Sequence, residues 1–329
     1  MNELKLTVAC WDYDRIRALQ DGRVRADGLE LNILPLVPEE TFFRAFRNAE
    51  FEVSELSLSS TLMMLSRGEC AYTPIPVFPS RSFRHSCIYV REGSGIKKPE
   101  DLKGRRVAIS EYQVTAALVA RGLLNDEYGV TPQDIQWIQA GLEESGREDK
   151  INWTPPAGVE IKKIHDRSIR ELFETSEVDA LISPRAPSAF DPSGKGPIQR
   201  MFLDAAVEDA YYRKTGIFPI MHVLGIRNDI HKAHPWVAGS LVKAFTKAKN
   251  LALDELADVT ALKVALPFLP SHVTQAHQLF GRDFWAYGLE KNRVPLEAAT
   301  RWSFEQGLSV RKMSVDELFA PQSLASFKV

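Results

Sequence analysis

The stretch from 81 to 123, R-S-F-R-H-S-C-I-Y-V-R-E-G-S-G-I-K-K-P-E-D-L-K-G-R-R-V-A-I-S-E-Y-Q-V-T-A-A-L-V-A-R-G-L, decides how the chain is organised. Residues 86–91 are short, apolar and rich in β-formers, which predicts a strand. Residues 93–104 make a polar connector, in which Pro99-Glu-Asp-Leu forms a helical turn and Gly104 ends it. A second strand follows over 105–109, and Ser110-Glu-Tyr-Gln leads into a helix over about 114–124. A strand, a polar turn and a helix start together form an anion site, because unpaired backbone N–H groups and the helix dipole face the turn. Arg81, Arg84 and His85 stand immediately before the first of these strands. The pattern predicts a pocket between two lobes, with this stretch carrying the chain across.

Working outward, Leu4–Cys10 alternates as a strand, the loop Trp11-Asp-Tyr-Asp-Arg15 follows, and 28–34 is a second strand. Pro38 opens a helix with acidic residues in its first turn, 51–56 is a brief strand, and Ser57-Leu-Ser-Ser starts another helix. The hydroxyls of Ser57, Ser59 and Ser60 serve there either as caps or as donors to an anion. Three prolines make 73–79 extended. The charged, Gly/Pro-bearing segment 141–156 reads as a surface excursion or flap between the strands expected at 131–139 and 159–164. A helix over 168–176 and a strand over 178–182 come next, ending in Ser183-Pro-Arg185. Asp191-Pro-Ser-Gly-Lys-Gly-Pro lacks phosphate-loop spacing and reads as an ordinary loop, and 202–215 reads as mostly helical. The apolar run 216–226, with His222 in it, is a natural return crossing. Residues 233–319 are nearly all helix, with Trp236, Leu241, Phe245, Ala248 and Leu251 on one packed face.

This alternation implies an α/β, two-lobed molecule of mostly parallel sheets flanked by helices, with a ligand cleft between the lobes. The outer lobe is discontinuous, 1–92 with 216–329, and 93–215 is an inserted middle lobe. A chain of 329 residues is long enough for two cores. Its net charge of −2 argues against a general nucleic-acid binder. Cys10, Cys70 and Cys87 are scattered, without a C-x-x-C, which suits a reducing compartment. Lys5 interrupts an N-terminal apolar run too short for a secretory leader, and no segment nears the ~18 apolar residues of a membrane span. A cytoplasmic protein with no membrane or nucleic-acid partner, and with a possible homo-oligomeric state, is expected.

Several longer phrases carry a resemblance: S-E-L-S-L-S-S at 54–60, I-P-V-F-P-S-R-S-F-R-H-S at 75–86, I-K-K-P-E-D-L-K-G-R-R-V at 96–107 and S-E-Y-Q-V-T-A at 110–116. R-G-L-L-N-D-E-Y-G-V at 121–130, T-G-I-F-P-I-M-H at 215–222, Y-G-L-E-K-N-R at 287–293 and E-Q-G-L at 305–308 extend it along the chain. On these the chain resembles the 4,5-dihydroxyphthalate decarboxylase family, with a type 2 periplasmic-binding-protein-like fold. The resemblance implies conversion of 4,5-dihydroxyphthalate to protocatechuate and CO₂.

Such a reaction needs cations for the retained carboxylate and a general acid that protonates the ring carbon bearing the departing one. Arg81 and Arg84 are candidate carboxylate clamps, with Arg185 reaching from across the cleft. Tyr112, Gln113 and Thr115, at the middle-lobe helix start, are candidate donors to the other carboxylate, as are Ser57, Ser59 and Ser60 from the outer lobe. Asp12 and Arg15 lie in the first strand's exit loop. For the acid, His85 comes first, His222 second and Glu111 third, the histidines because imidazole titrates near neutral pH. No cofactor is expected. His231-x-x-His234 and His272-x₄-His277 do not form a recognised metal motif, although a divalent ion held by dispersed residues stays open. Two other readings are a solute-binding protein for an aromatic or small carboxylate, and another lyase on the same fold.

Overall fold

A computed structural model describes residues 3–324. The chain begins with strand β1 (Leu4–Cys10), helix α1 (Asp14–Gln20), β2 (Leu29–Pro35), α2 (Pro38–Asn48), β3 (Val53–Ser57), α3 (Leu58–Arg67) and β4 (Tyr72–Arg81). It then crosses to a second sheet, made of β5 (Ile88–Arg91), β6 (Arg106–Ile109), β7 (Gln136–Gln139), β8 (Ile161–Lys163), β9 (Ala180–Ile182) and β10 (Ile198–Arg200). Helices α4 (Thr115–Tyr128), α5 (Ile169–Glu174) and α6 (Ala206–Thr215) belong to this part of the chain. Strand β11 (Ile220–Arg227) returns to the first sheet, and α7 (Asn228–Ala233), α8 (Val237–Ala257), α9 (Leu269–Phe280) and α10 (Arg293–Glu305) follow.

The first sheet has the order β2-β1-β3-β11-β4 and the second β10-β5-β9-β6-β7-β8. Strands joined by helices pair in parallel, β1 with β2 and β3, and β6 with β7 and β9. The strands next to the crossings run antiparallel: β11 against β3 and β4, β5 against β9 and β10. The three prolines of 73–79 fall in β4, at the edge of its sheet, where a missing ladder donor costs least. No helix among the described residues is long and apolar enough to cross a membrane.

The first crossing lies earlier than the sequence pattern suggests. Strand β5 hydrogen-bonds to β9 and β10 of the second sheet, so the passage occupies 82–87, including a 3-10 turn at His85–Cys87. Strand β10 was also unforeseen, because three residues carry too little periodicity to register. Trp236 is not on the packed face of α8: it is 47% exposed, whereas Leu241, Phe245 and Ala248 are buried. It precedes the helix's first turn and instead lies across Gly28, where a Cβ would stand 3.2 Å from its ring.

Apolar packing joins the lobes on one side of the cleft. Met63 of α3, Met221 of β11 and Trp302 of α10 belong to the same cluster as Ile109, Leu118 and Trp137 of the inserted part. Gly122 of α4 makes room for the Trp302 ring, since a Cβ there would sit 2.4 Å from it. The indole N–H of Trp302 then donates to Asp126 at 2.8 Å.

Candidate functional site

Strand β3 is buried at every position, and it carries a carboxylate, Glu55, with no exposed surface. Burying an ionised carboxylate is expensive unless donors surround it. Here the Trp11 backbone N–H donates at 2.9 Å, the Tyr13 hydroxyl at 2.7 Å, and His222 Nδ1 lies 2.6 Å away. Burial acts to raise the Glu55 pKa, but the bonds from His222, Trp11 and Tyr13 outweigh it and hold the carboxyl below its ordinary value. Tyr13 is pushed far above the usual phenol range, by burial first and by Glu55 next, so it remains a neutral donor. With Glu55 accepting, Nδ1 of His222 bears hydrogen, and Nε2 has no hydrogen-bond partner among the described residues. His222 sits between two register shifts in the β11–β4 pairing, opposite Ser57 and Ser80. Such irregularities re-aim a side chain, and the Phe42 ring of α2 meets the imidazole edge-on at 4.8 Å.

Two helix starts from different lobes meet beside this group. Ser57 precedes α3, and Thr115 opens α4. Their hydroxyls are 2.9 Å apart, and the Ser59 backbone N–H donates to Thr115 Oγ1 at 3.0 Å. Thr115 thus caps a helix of the other lobe. The Ser59 hydroxyl is buried without a partner among the described residues, as is Gln113 Oε1.

The α2 side of the cleft opens on a cavity of about 740 Å³, lined by Glu39 and Phe43 of α2, Glu111, the 141–150 segment and Arg185. Its cations come largely from the flap. Glu111 is fully buried and accepts from Arg147 Nε at 3.0 Å and Nη2 at 2.5 Å, from Lys150 Nζ at 2.7 Å and from Gln113 Nε2 at 2.9 Å. Arg47 of α2 and Arg67 of α3 donate to the Asp149 and Asn152 carbonyls, so the outer lobe holds the flap as well as Glu111 of the inserted lobe. The Arg185 side chain is exposed and makes no ion pair or hydrogen bond within the described residues.

Comparison with known proteins gives this geometry a family. The chain is 44% identical over 333 aligned positions, covering 100% of both chains, to 4,5-dihydroxyphthalate decarboxylase of Comamonas testosteroni. It belongs to the 4,5-dihydroxyphthalate decarboxylase family. A Pseudomonas putida protein of the same name is 43% identical over 214 positions, 64% of this chain and 83% of that one. Residues 28–150 also match a family described as the phosphonate periplasmic substrate-binding protein of an ABC transporter. Among solved structures, the aliphatic sulphonate binding protein SsuA of Escherichia coli superposes with a TM-score of 0.54 at 15% identity, covering 100% of this chain and 95% of that one. The desulfurization enzyme DSZB does so with 0.50 at 17% identity, covering 98% of each. At such identities these likenesses speak to the fold alone, the type 2 periplasmic-binding-protein-like architecture.

Within this decarboxylase-family chain, several expected site residues are occupied elsewhere. His85 is buried among Phe83, Phe202 and Tyr211, and burial takes its pKa down to about 4, which leaves a neutral imidazole in an aromatic cluster. Arg81 is buried and donates to the carbonyls of Phe218 and Ala286 and to Asn292, so it braces the crossing instead of clamping a ligand in the cleft. Arg84 donates to the Met221 sulfur at 2.9 Å. Tyr112 stacks on Trp153, with the Arg121 guanidinium 3.6 Å over its ring, inside the inserted lobe's core. Glu111 has its acceptors filled by two cations and serves as the flap's anchor, not as an acid. Asp12 is exposed and pairs with Arg17. Arg15 donates to the Pro79 carbonyl at 2.6 Å and lies over the Tyr13 and Trp285 rings. Arg185 lines the interlobe cavity, His222 is held by Glu55, and Ser57, Ser59, Ser60, Gln113 and Thr115 are buried at and beside the two helix starts.

Glu55, Tyr13, Arg147 and Lys150 escaped the sequence reading. A carboxylate inside a short strand, between Val53 and Leu56 in F-E-V-S-E-L-S, was the available signal for Glu55. Among the described residues, no group of three or more His, Cys, Asp or Glu side chains is arranged to hold a metal.

Proposed function

We propose that the protein is a carboxy-lyase that converts 4,5-dihydroxyphthalate to protocatechuate and CO₂, with His222 as the proton donor. The observation that carries the assignment of the donor is the 2.6 Å contact of His222 Nδ1 with the buried Glu55, which fixes the ring and leaves Nε2 for the substrate. The full-length kinship with 4,5-dihydroxyphthalate decarboxylase supports the reaction.

In this reading the substrate occupies the interlobe cleft, its retained carboxylate on Arg185 and the flap cations. The other carboxylate lies against the converging helix starts at Ser57, Ser59, Ser60 and Thr115. The hydroxyl para to the departing carboxylate pushes electron density to the carbon that bears it. Protonated His222 delivers its Nε2 proton to that carbon and the ring loses aromaticity. The carbon–carboxylate bond then breaks, CO₂ leaves, and the bond's electron pair restores the ring. One proton has replaced one CO₂, and His222 is recharged from solvent. No step draws on a metal or an organic cofactor.

The test is CO₂ release and product identity from metal-stripped protein given 4,5-dihydroxyphthalate, beside His222→Ala. Protocatechuate from the wild type, with turnover reduced ~10²-fold or more in the variant, supports the assignment. Turnover restored only by a divalent ion overturns the cofactor-free mechanism. Ligand binding without turnover in either condition points instead to a solute-binding role.

A further inference from the structure

We propose that a cavity of about 320 Å³ behind the lobe crossings is a second ligand site, built for a single-ring aromatic carboxylate. Its walls include Arg81, Tyr212, Phe218, Phe280, Phe284 and Lys291. None of its lining residues also lines the interlobe cavity.

The charge balance calls for an anion. Lys249 and Lys291 both pair with one carboxylate, Asp283, the latter at 3.0 Å. Arg81 faces the same cavity and has no carboxylate partner among the described residues. Its two terminal nitrogens go to neutral acceptors, the Phe218 carbonyl at 3.2 Å, the Ala286 carbonyl at 2.7 Å and Asn292, while its Nε is buried without a partner among the described residues. Two lysines therefore share one carboxylate, and Arg81 pairs with none among the described residues. Burial lowers the Arg81 pKa only to about 10, so the guanidinium stays charged at neutral pH. A buried cation without a counter-charge is costly, and a bound carboxylate offsets that cost.

The walls select the rest of the ligand. Phe280 packs against Phe218 with centroids 5.1 Å apart and against Tyr212 at 4.4 Å, which makes an aromatic surface beside the cations. The volume is at the lower end of the ~300–1,000 Å³ of small-molecule sites, and suits one ring better than two. Arg81 ends β4 and its guanidinium holds Phe218, two residues before β11, so a ligand here touches both strands that connect the lobes.

Calorimetric titration with benzoate, and separately with phthalate, tests the site without requiring turnover. The protein is compared with Lys291→Glu, Lys291→Gln and the cleft variant Arg185→Ala. Lys291 is a largely exposed side chain whose replacement leaves the core intact. Benzoate binding that weakens ~10-fold or more in Lys291→Glu, to a smaller extent in Lys291→Gln, and persists in Arg185→Ala supports the site. Equal affinity in wild type and Lys291→Glu overturns it, as does the absence of benzoate binding to the wild type. The phthalate arm tells whether the site takes the dicarboxylate or prefers the product-like monocarboxylate.

Discussion

Glu55 and His222 show how a charge inside a fully buried strand is accommodated. The carboxylate is expensive to bury, and three donors recover the cost while fixing the imidazole that supplies one of them. Glu55 acts through His222, so Glu55→Gln should lower kcat roughly 10²-fold and leave KM within about threefold, measured by steady-state kinetics. A loss confined to KM would remove Glu55 from the catalytic group. His85 illustrates the opposite outcome for a histidine. Its folded pKa of about 4 lies below the ordinary 6.5, so protonation favours the unfolded chain. Its contribution to stability is complete above pH 6.5 and is lost as pH falls toward 4, by on the order of 2–3 kcal/mol. His85→Leu should flatten the fall in the urea midpoint across that window; an unchanged slope would count against a neutral buried His85.

At the scale of elements, the flap is held by a few polar side-chain contacts. Residues 141–158 contain no helix or strand, and their order rests on Glu111, Gln139 and the α2 and α3 arginines. Glu111→Gln keeps the shape but removes the charge that gathers Arg147 and Lys150. It should raise KM about tenfold with kcat within about threefold, and should speed tryptic cleavage within 141–158. Unchanged proteolysis would mean that the flap is held by its other contacts. The helix starts of α3 and α4 make a related point: Ser57 and the Ser59 N–H meet Thr115 of the other lobe, so the polar face they share exists only once both lobes are assembled.

For the molecule as a whole, the two sheets are separate but the apolar packing is not. Met63, Met221 and Trp302 enter the inserted lobe's core, and Gly122 lets α4 and α10 approach closely. The lobes should therefore unfold together. Urea denaturation followed by tryptophan fluorescence and by far-ultraviolet circular dichroism should give coincident transitions. Two resolved transitions would show that each lobe is stable by itself.

Alternation of short apolar strands with amphipathic helices was enough to reveal an α/β chain with two lobes, because burial on a sheet face and on a helix face leaves different periods in the sequence. The apolar run around His222 marked the return strand for the same reason. The long family phrases identified the decarboxylase kinship, and Ser57, Ser59 and Thr115 could be placed at helix starts from local signals alone. What surrounds each histidine was decided only in three dimensions. His85 and His222 both stand at lobe crossings, and what separates them is a buried carboxylate 167 positions from one and an aromatic cage around the other. The same holds for the arginines: Arg81 and Arg84 adjoin the crossing in sequence but turn into the fold, whereas Arg147 and Lys150 reach the cavity from a segment with no pattern of its own. Periodicity encodes which face of an element is buried, but the partners a polar side chain meets depend on how distant elements pack.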